Sequence, residues 1–294
     1  MPATSNTFIQ PSTIQLLRFH FSLFLMPVYW FALSQLVEIN VMHTIAIFII
    51  LHLLVYPASN GYNSYMDRDT ESIGGIEKPL QPTLQLFYAT IMLDSIAIIA
   101  AFFISIYFAI GIAAYILASK AYSYRGIRLK KYPLAGYLTV IFFQGAGAFW
   151  LVYHGCSVNK TLNVPFIPMI VASLLIGGFY PLTQIYQHDA DIKDNVKTIS
   201  YTLGYKGTFL YCGFVYTLAF LLLAFYFFYS LQTTAFYIFN ICMSPVIIYF
   251  LMWAIKVWHN YSNANYKNTM RMNIIASVCI NIAFIIIFLN NYFE

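Results

Sequence analysis

Two short acidic stretches stand out in a chain that carries little charge. The first reads Asn63-Ser64-Tyr65-Met66-Asp67-Arg68-Asp69-Thr70-Glu71. The second reads Gln187-His188-Asp189-Ala190-Asp191-Ile192-Lys193-Asp194. Together with Glu77 they hold most of the 10 Asp and Glu residues. Asn63, Asp67 and Glu71 are spaced four apart, so a helix continuing through them would put all three on one face. Like charges repel at that spacing unless a divalent cation sits between them. Hard cations such as Mg2+ take oxygen ligands and commonly bridge carboxylates to substrate phosphates. Two acidic clusters facing each other across a cavity would hold a metal–diphosphate assembly. Taken singly, either cluster reads more readily as solvated loop acids; two of them at equivalent places in a chain this poor in charge favour the metal site. The Gly and terminal Glu spacing of an EF-hand calcium loop is absent.

A basic segment, Lys120-Ala121-Tyr122-Ser123-Tyr124-Arg125-Gly126-Ile127-Arg128-Leu129-Lys130-Lys131, lies between the acidic ones. It reads as a topology determinant drawn to anionic headgroups, or as a diphosphate clamp, since Arg and Lys neutralise phosphate oxygens. The two uses are compatible.

The elements that must position these groups are membrane helices. Of 294 residues, 61% are hydrophobic and 9% charged, with mean hydropathy +0.71. About 25% charge is usual for a soluble domain, so lipid must be the main solvent. The 25 Tyr and 27 Phe suit interfaces and can line an apolar cavity. A spanning helix needs roughly 20 apolar residues. Nine stretches qualify: Ile14–Leu36, Val41–Ala58, Leu84–Ser105, Tyr107–Tyr122, Pro133–His154, Pro165–Tyr186, Thr208–Ser230, Thr234–Trp258 and Met272–Asn291. With this count, all but Lys160 of the 15 Lys and Arg residues fall on one side. The positive-inside rule makes that side, and the N-terminus, cytoplasmic. The acidic clusters follow the second and sixth spans, and Asp191 comes 124 positions after Asp67. The expected fold is therefore all-α, one domain over residues 1–294, with two four-helix repeats plus one helix. Such repeats often share a site at their interface.

Other residues are less telling. Cys156, Cys212, Cys242 and Cys279 are far apart and form no CxxC pair, so they read as buried hydrophobes. No cleavable signal peptide is expected, and the first apolar segment is long enough to span. Asp94 falls within a span, where a carboxylate is costly; it reads as hydrogen-bonded to another helix. Gln144-Gly145-Ala146-Gly147 suits close helix packing, with a substrate contact at Gln144 as the alternative. Arg18 either anchors an interface or contacts phosphate. His188 is expected to be an exposed loop histidine, with metal ligation as the alternative. Asn159 and Lys160 lie on the outer face and carry no assigned role.

In this arrangement the chain resembles the UbiA-type prenyltransferase superfamily, which has nine transmembrane helices around a central cavity and Asp-rich motifs after helices two and six. The first motif, Asn-Asp-x-x-Asp-x-x-x-Asp, is similar to Asn63 through Glu71: Asn63 and Asp67 match, Glu71 is conservative and Ser64 replaces an Asp. The stretch after helix four, Tyr-Ser followed by Arg-Leu-Lys, resembles Tyr122-Ser123 and Arg128-Leu129-Lys130. In the second motif Asp191 matches, Gln187 replaces the first Asp, and Lys197-Thr198 and Leu203-Gly204 match the tail. The resemblance covers nearly the whole chain and suits a divergent subgroup. It implies Mg2+ held by Asn63, Asp67, Glu71 and Asp191, with Asp189 as a further acid beside an isoprenyl diphosphate. Arg128, Lys130, Lys197 and Arg18 would meet the phosphates. Ser123 would line the same site. Asp67, Asp191, Tyr122 and Lys130 would serve the departure of diphosphate. Tyr62, Tyr65, Tyr122 and Phe149 are aromatic candidates for facing the resulting allylic cation. A lipophilic acceptor, aromatic or quinone-like, would be prenylated in a bacterial inner membrane, and no nucleic acid is involved. Two other readings stay open: a transporter, against which the one-sided acids argue, and an inactive lipid-binding relative, supported only by Ser64 and Gln187.

Overall fold

Hydrocarbon offers the backbone no hydrogen-bond partners, so a chain this apolar must satisfy its amides within each segment. The computed structural model describes residues 9–293, and these form nine helical spans. They are span 1 (Pro11–Ser34), span 2 (Val41–Asp67), span 3 (Leu84–Phe102), span 4 (Ile106–Ser123), span 5 (Pro133–Cys156), span 6 (Phe166–Gln184), span 7 (Ile199–Tyr229), span 8 (Thr233–His259) and span 9 (Tyr266–Phe293). The described residues contain no strand beyond isolated bridges. The outward faces are apolar: Ile99 is 62% exposed, Leu210 66% and Ile241 72%. In water those faces would drive aggregation; in lipid they are solvated.

Among the departures from the expected bounds or from regular helix, those of spans 2, 5 and 7 shape the interior. Span 2 runs on past Ala58 to Asp67, where Arg68 takes a left-handed conformation (φ 55°) and ends it. Its middle is a π-helical stretch, Ile50–Val55, just before Pro57. The wider turn accommodates a proline ring that would clash with the carbonyl four residues back. Pro181, at the same 124-residue offset from Pro57 as Asp191 from Asp67, sits near the end of span 6. Span 5 has its own π stretch, Phe142–Gly147. There Ser173 of span 6 donates to the Ile141 carbonyl (2.8 Å) and accepts from the Ala146 amide (3.0 Å). Gly145 allows that approach, since a Cβ there would lie 2.4 Å from Ser173 Cα. The packing reading of Gly145-Ala146-Gly147 thus holds at Gly145. Span 7 starts at Ile199 rather than Thr208, and kinks at Gly204 (φ 66°).

Aromatic rings fasten the centre. Phe31 of span 1 stacks on Phe284 of span 9 at 4.4 Å and meets Phe149 of span 5 edge-on at 5.1 Å. Phe149 is fully buried here, so it is a core residue rather than a cavity-facing ring. Lys120 lies in the last turn of span 4, not in the loop. It pairs with Asp94 of span 3 at 2.6 Å and lies 4.0 Å from the Tyr62 ring centroid. The bond to another helix expected of Asp94 is this ion pair.

Candidate active site

The acidic stretches converge because spans 2 and 6 end at the same side of the bundle. Between them lies a polar chamber of about 150 Å³. Asn63, Asp67 and Asp69 line it from span 2 and the turn beyond. Tyr180, Gln184, Gln187 and Asp191 line it from span 6 and its continuation, Lys130 from the basic loop, and Arg18 and Phe21 from span 1. Behind it lies a deeper chamber of about 160 Å³, which shares Arg18, Phe21, Asn63, Tyr122 and Tyr180 with the first. Tyr122 and Tyr180 join hydroxyl to hydroxyl where the two chambers meet. Ser59, Asn60, Tyr115, Ser119, Phe143 and Gln144 line the deeper chamber.

Span 1 breaks at Arg18, which is left-handed (φ 48°) between an α-helical turn and the 3-10 segment Phe19–Phe24. The break turns the guanidinium inward, where it is 6% exposed. It donates to the carbonyls of Gly74 (3.3 Å) and Asn60 (3.2 Å) and lies 5.3 Å from the Phe21 ring centroid. Its Nε has no partner. A buried cation held only by carbonyls and facing a cavity is prepared for an anion.

Asp67, its carboxylate 4% exposed, receives Lys130 Nζ and, at 2.9 Å, Asn63 Nδ2. Asn63 also donates to Ser123 Oγ at 3.0 Å. Arg128, left-handed at φ 52°, caps the short turn Leu129–Lys131. Its guanidinium pairs with the Asp194 carboxylate, donates to the Asp194 carbonyl at 3.2 Å, and reaches to 3.7 Å from Asp67. Arg125 donates to the carbonyl of Met66 (2.8 Å) and lies 3.7 Å from Asp194. It thus binds the open end of span 2, where carbonyls lack intrahelical donors. One basic loop therefore ties the first acidic cluster to the second.

The remaining carboxylates in the chamber are short of positive charge. Burial pushes Asp191 up to about 7, with Lys130 opposing and Asp69, Asp67 and Asp194 adding to the rise. Burial, then Asp67, raises Asp69 to about 6, while Lys130 and Arg18 oppose. Asp191 Oδ2 and Asp67 Oδ1 are buried without hydrogen-bond donors. Acceptors left bare in a low-dielectric cavity call for a cation. No group of three His, Cys, Asp or Glu side chains converges on one point among the described residues. A small hard cation that keeps several waters and shares itself with phosphate needs only one or two carboxylates, so the donor set fits.

Several expected members stand elsewhere. Glu71 lies past the end of span 2, exposed, and pairs with Lys193 at 2.9 Å. The helix that would have turned it toward Asp67 stops at Asp67. Asp189 and Lys197 are exposed and line neither chamber. Tyr62 packs under Lys120, and Tyr65 lies against Phe87 and Arg68. His188 is buried, not exposed. It stacks on Tyr205 at 4.9 Å and hydrogen-bonds Ser200 at 2.8 Å. Burial lowers its pKa to about 4, so it stays neutral and braces the second acidic segment. Ser64 is buried and lines neither chamber. Gln187 lines the polar chamber and donates to the Ser72 carbonyl at 3.3 Å. Tyr180 went unnoticed in the sequence. Its signal was the spacing of Tyr180, Gln184, Gln187 and Asp191, which is that of one helical face.

The family model of the UbiA prenyltransferase family matches residues 22–275. Among solved structures, a UbiA homologue from Archaeoglobus fulgidus bound to DMAPP and Mg2+ is 18% identical, with TM-score 0.66, over 94% of this chain and 99% of that one. A UbiA homologue from Aeropyrum pernix K1, in its apo form, is 16% identical with TM-score 0.66, over 92% and 98%. A digeranylgeranylglyceryl phosphate synthase is 16% identical with TM-score 0.60, over 96% and 98%. No curated protein matches the chain in sequence. The span of the family match, joined to nine apolar helices and paired acidic turns at their ends, shows that this integral membrane protein belongs to the UbiA prenyltransferase family.

Proposed function

We propose that the protein transfers a prenyl group from an isoprenyl diphosphate to a lipophilic acceptor, with Mg2+ as cofactor. The observation that carries this reading is the polar chamber itself. It holds buried carboxylate oxygens without donors beside Arg18, a buried cation without an anion, and opens onto a deeper chamber lined in part by aromatic rings. The A. fulgidus homologue has been solved with DMAPP or GPP together with Mg2+, which supports the same donor class here.

Asp67, Asp69 and Asp191 would hold Mg2+, with Asn63 and Gln187 as neutral oxygen donors. Bound there, Mg2+ supplies charge stabilisation for the departing diphosphate. Arg18 and Lys130 meet the phosphate oxygens, Lys130 exchanging its hold on Asp67 for the incoming anion. Cleavage of the C1–O bond sends the electron pair out with diphosphate and leaves an allylic cation. The rings of Tyr122, Tyr180 and Phe21 stand at the junction of the chambers, where aromatic faces stabilise positive charge. The acceptor's nucleophilic carbon or oxygen then bonds to C1 and gives up a proton. Ser64 lies off the chamber, so a serine there removes no ligand. Gln187 does stand in it, as an uncharged group. We read the chamber as cytoplasmic, because positive charge gathers on its side of the bundle.

The test is diphosphate release from dimethylallyl, geranyl and farnesyl diphosphates in detergent, with Mg2+ or EDTA and a panel of aromatic acceptors. Release should need Mg2+ and be lost in Asp67→Asn and in Asp191→Asn, whereas Glu71→Gln keeps most of it. Absence of both release and Mg2+-dependent donor binding would refute the enzyme reading.

A further inference from the structure

His52 of span 2 is a buried titratable group that the proposed reaction leaves unused. It is 1% exposed and lies in the π-helical stretch Ile50–Val55. Phe48 stacks on it at 4.6 Å, and Tyr56 and Tyr29 meet it edge-on at 5.0 and 5.6 Å. Its Nδ1 lies 2.5 Å from Ser22 Oγ of span 1, and its Nε2 has no partner. We infer that the Ser22–His52 bond positions Arg18, so that His52 sets the affinity for diphosphate without touching it. The inference rests on the prenyl-transfer reading and adds to it a residue that tunes the donor site from outside.

Three observations carry it. First, the bond falls on the segment that builds the site. Ser22 belongs to the 3-10 segment Phe19–Phe24, which follows the left-handed Arg18. Ser22 and His52 line neither chamber, whereas Arg18 and Phe21 line both. The Phe21 amide donates to the Arg18 carbonyl at 2.8 Å, so Ser22 comes one residue after the turn that aims the guanidinium. Second, this segment needs an outside hold. Its 6 residues exceed the usual length of a 3-10 run, and a left-handed arginine is disfavoured by its Cβ. Both features relax if the chain continues the α-helical turn before Arg18, which would carry the guanidinium off its carbonyl partners. Span 2 opposes that relaxation at two places: His52 holds Ser22, and the Asn60 carbonyl accepts from Arg18 at 3.2 Å. Third, packing alone does not call for a histidine. Among three aromatic rings a leucine would avoid the orphaned Nε2, which is costly when buried. What a hydrocarbon side chain cannot supply is the bond to Ser22.

The experiment measures binding of inorganic diphosphate with Mg2+ to the full chain in detergent by calorimetry, and of Mg2+ alone by its shift of thermal unfolding. Ser22→Ala deletes the bond with little change of volume. It should weaken diphosphate about fivefold, the order expected for one lost hydrogen bond. Mg2+ alone, which the carboxylates hold, should stay within about twofold, whereas a general packing defect would weaken both. His52→Leu should reproduce this split and guards against misfolding of the first variant. In an Arg18→Gln background, Ser22→Ala should change diphosphate affinity by less than about twofold, because its effect runs through the guanidinium. Equal weakening of Mg2+ and diphosphate, weakening of neither, or the same loss with and without Arg18, in folded variants, would overturn the inference. A wild-type chain that binds Mg2+ but no diphosphate would instead remove the donor site, and this inference with it.

Discussion

Replacing Asp94 and Lys120, singly and together, asks whether a charged pair inside the apolar layer is structural or chemical. The two groups are 2.6 Å apart, with side chains 9% and 19% exposed, and they join span 3 to span 4. Removing one partner of such a pair leaves a buried charge alone and costs about 3–5 kcal/mol. The two losses should differ. In Asp94→Leu the orphaned ammonium keeps the Tyr62 ring at 4.0 Å, and a desolvated cation–π contact returns up to about 2 kcal/mol. In Lys120→Met the carboxylate has no such substitute, so this variant should be the less stable by about 1–2 kcal/mol. The double variant, with two apolar side chains of similar bulk, should recover most of the loss, because both desolvation costs vanish together. Reversible unfolding in mixed dodecylmaltoside and SDS micelles gives the free energies, and Mg2+-dependent diphosphate release gives the function. A double variant that unfolds like wild type and still turns over assigns the pair to architecture. Singles within about 1 kcal/mol of wild type, or a double variant less stable than either single, would refute the reasoning.

Two further outcomes follow from the same geometry. Asp191 and Asp69 titrate near 7 and 6 because burial penalises their charge, so without metal the folded state binds more protons than the unfolded one in that window. Stability in EDTA should therefore fall as pH rises from about 5 to 8, whereas the stabilisation by Mg2+, which needs the carboxylates, should grow; thermal unfolding with and without Mg2+ reads both trends. Larger stabilisation by Mg2+ at the acidic end would contradict this assignment. At the crossing of spans 5 and 6, Gly145→Ala drives a Cβ against Ser173 backbone 2.4 Å away and should cost about 1–3 kcal/mol. Gly147→Ala, whose nearest obstacle is the Phe142 carbonyl at 3.1 Å, should cost less in the same micellar assay.

How far the sequence spoke depended on how local the determining physics was. Nine spans were readable because lipid demands long apolar runs, and the one-sided charge fixed their count. Asn63 and Asp67 were readable because both sit on one continuous helix. Glu71 was misplaced because the turn that frees it depends on Arg68 adopting a left-handed conformation, which no periodicity announces. Lys120 reads by proximity as part of the basic segment, yet it ends span 4 and its partner Asp94 lies one helix away. Asp194 was grouped with possible ligands, but Arg128 claims it from a loop between the two halves. His188 reads as a loop histidine until the kink at Gly204 brings Ser200 under it. The π-helical stretch Phe142–Gly147 has no sequence signature, so the close crossing of Gly145 on Ser173 came from the structure alone.

The grip of Arg128 on both clusters also bears on how the protein is made. Chains emerge from the ribosome N-terminus first, so Asp67 and Arg128 are in place well before Asp194 is synthesised. An incomplete chain holding only the first five spans has a basic loop with one anchor and no second wall, and so no enclosed chamber in which to trap a diphosphate. Closure waits for the sixth span and the residues behind it. Arg128 can brace both clusters only once Asp194 has followed it out of the ribosome, so the enclosed chamber is a late product of synthesis.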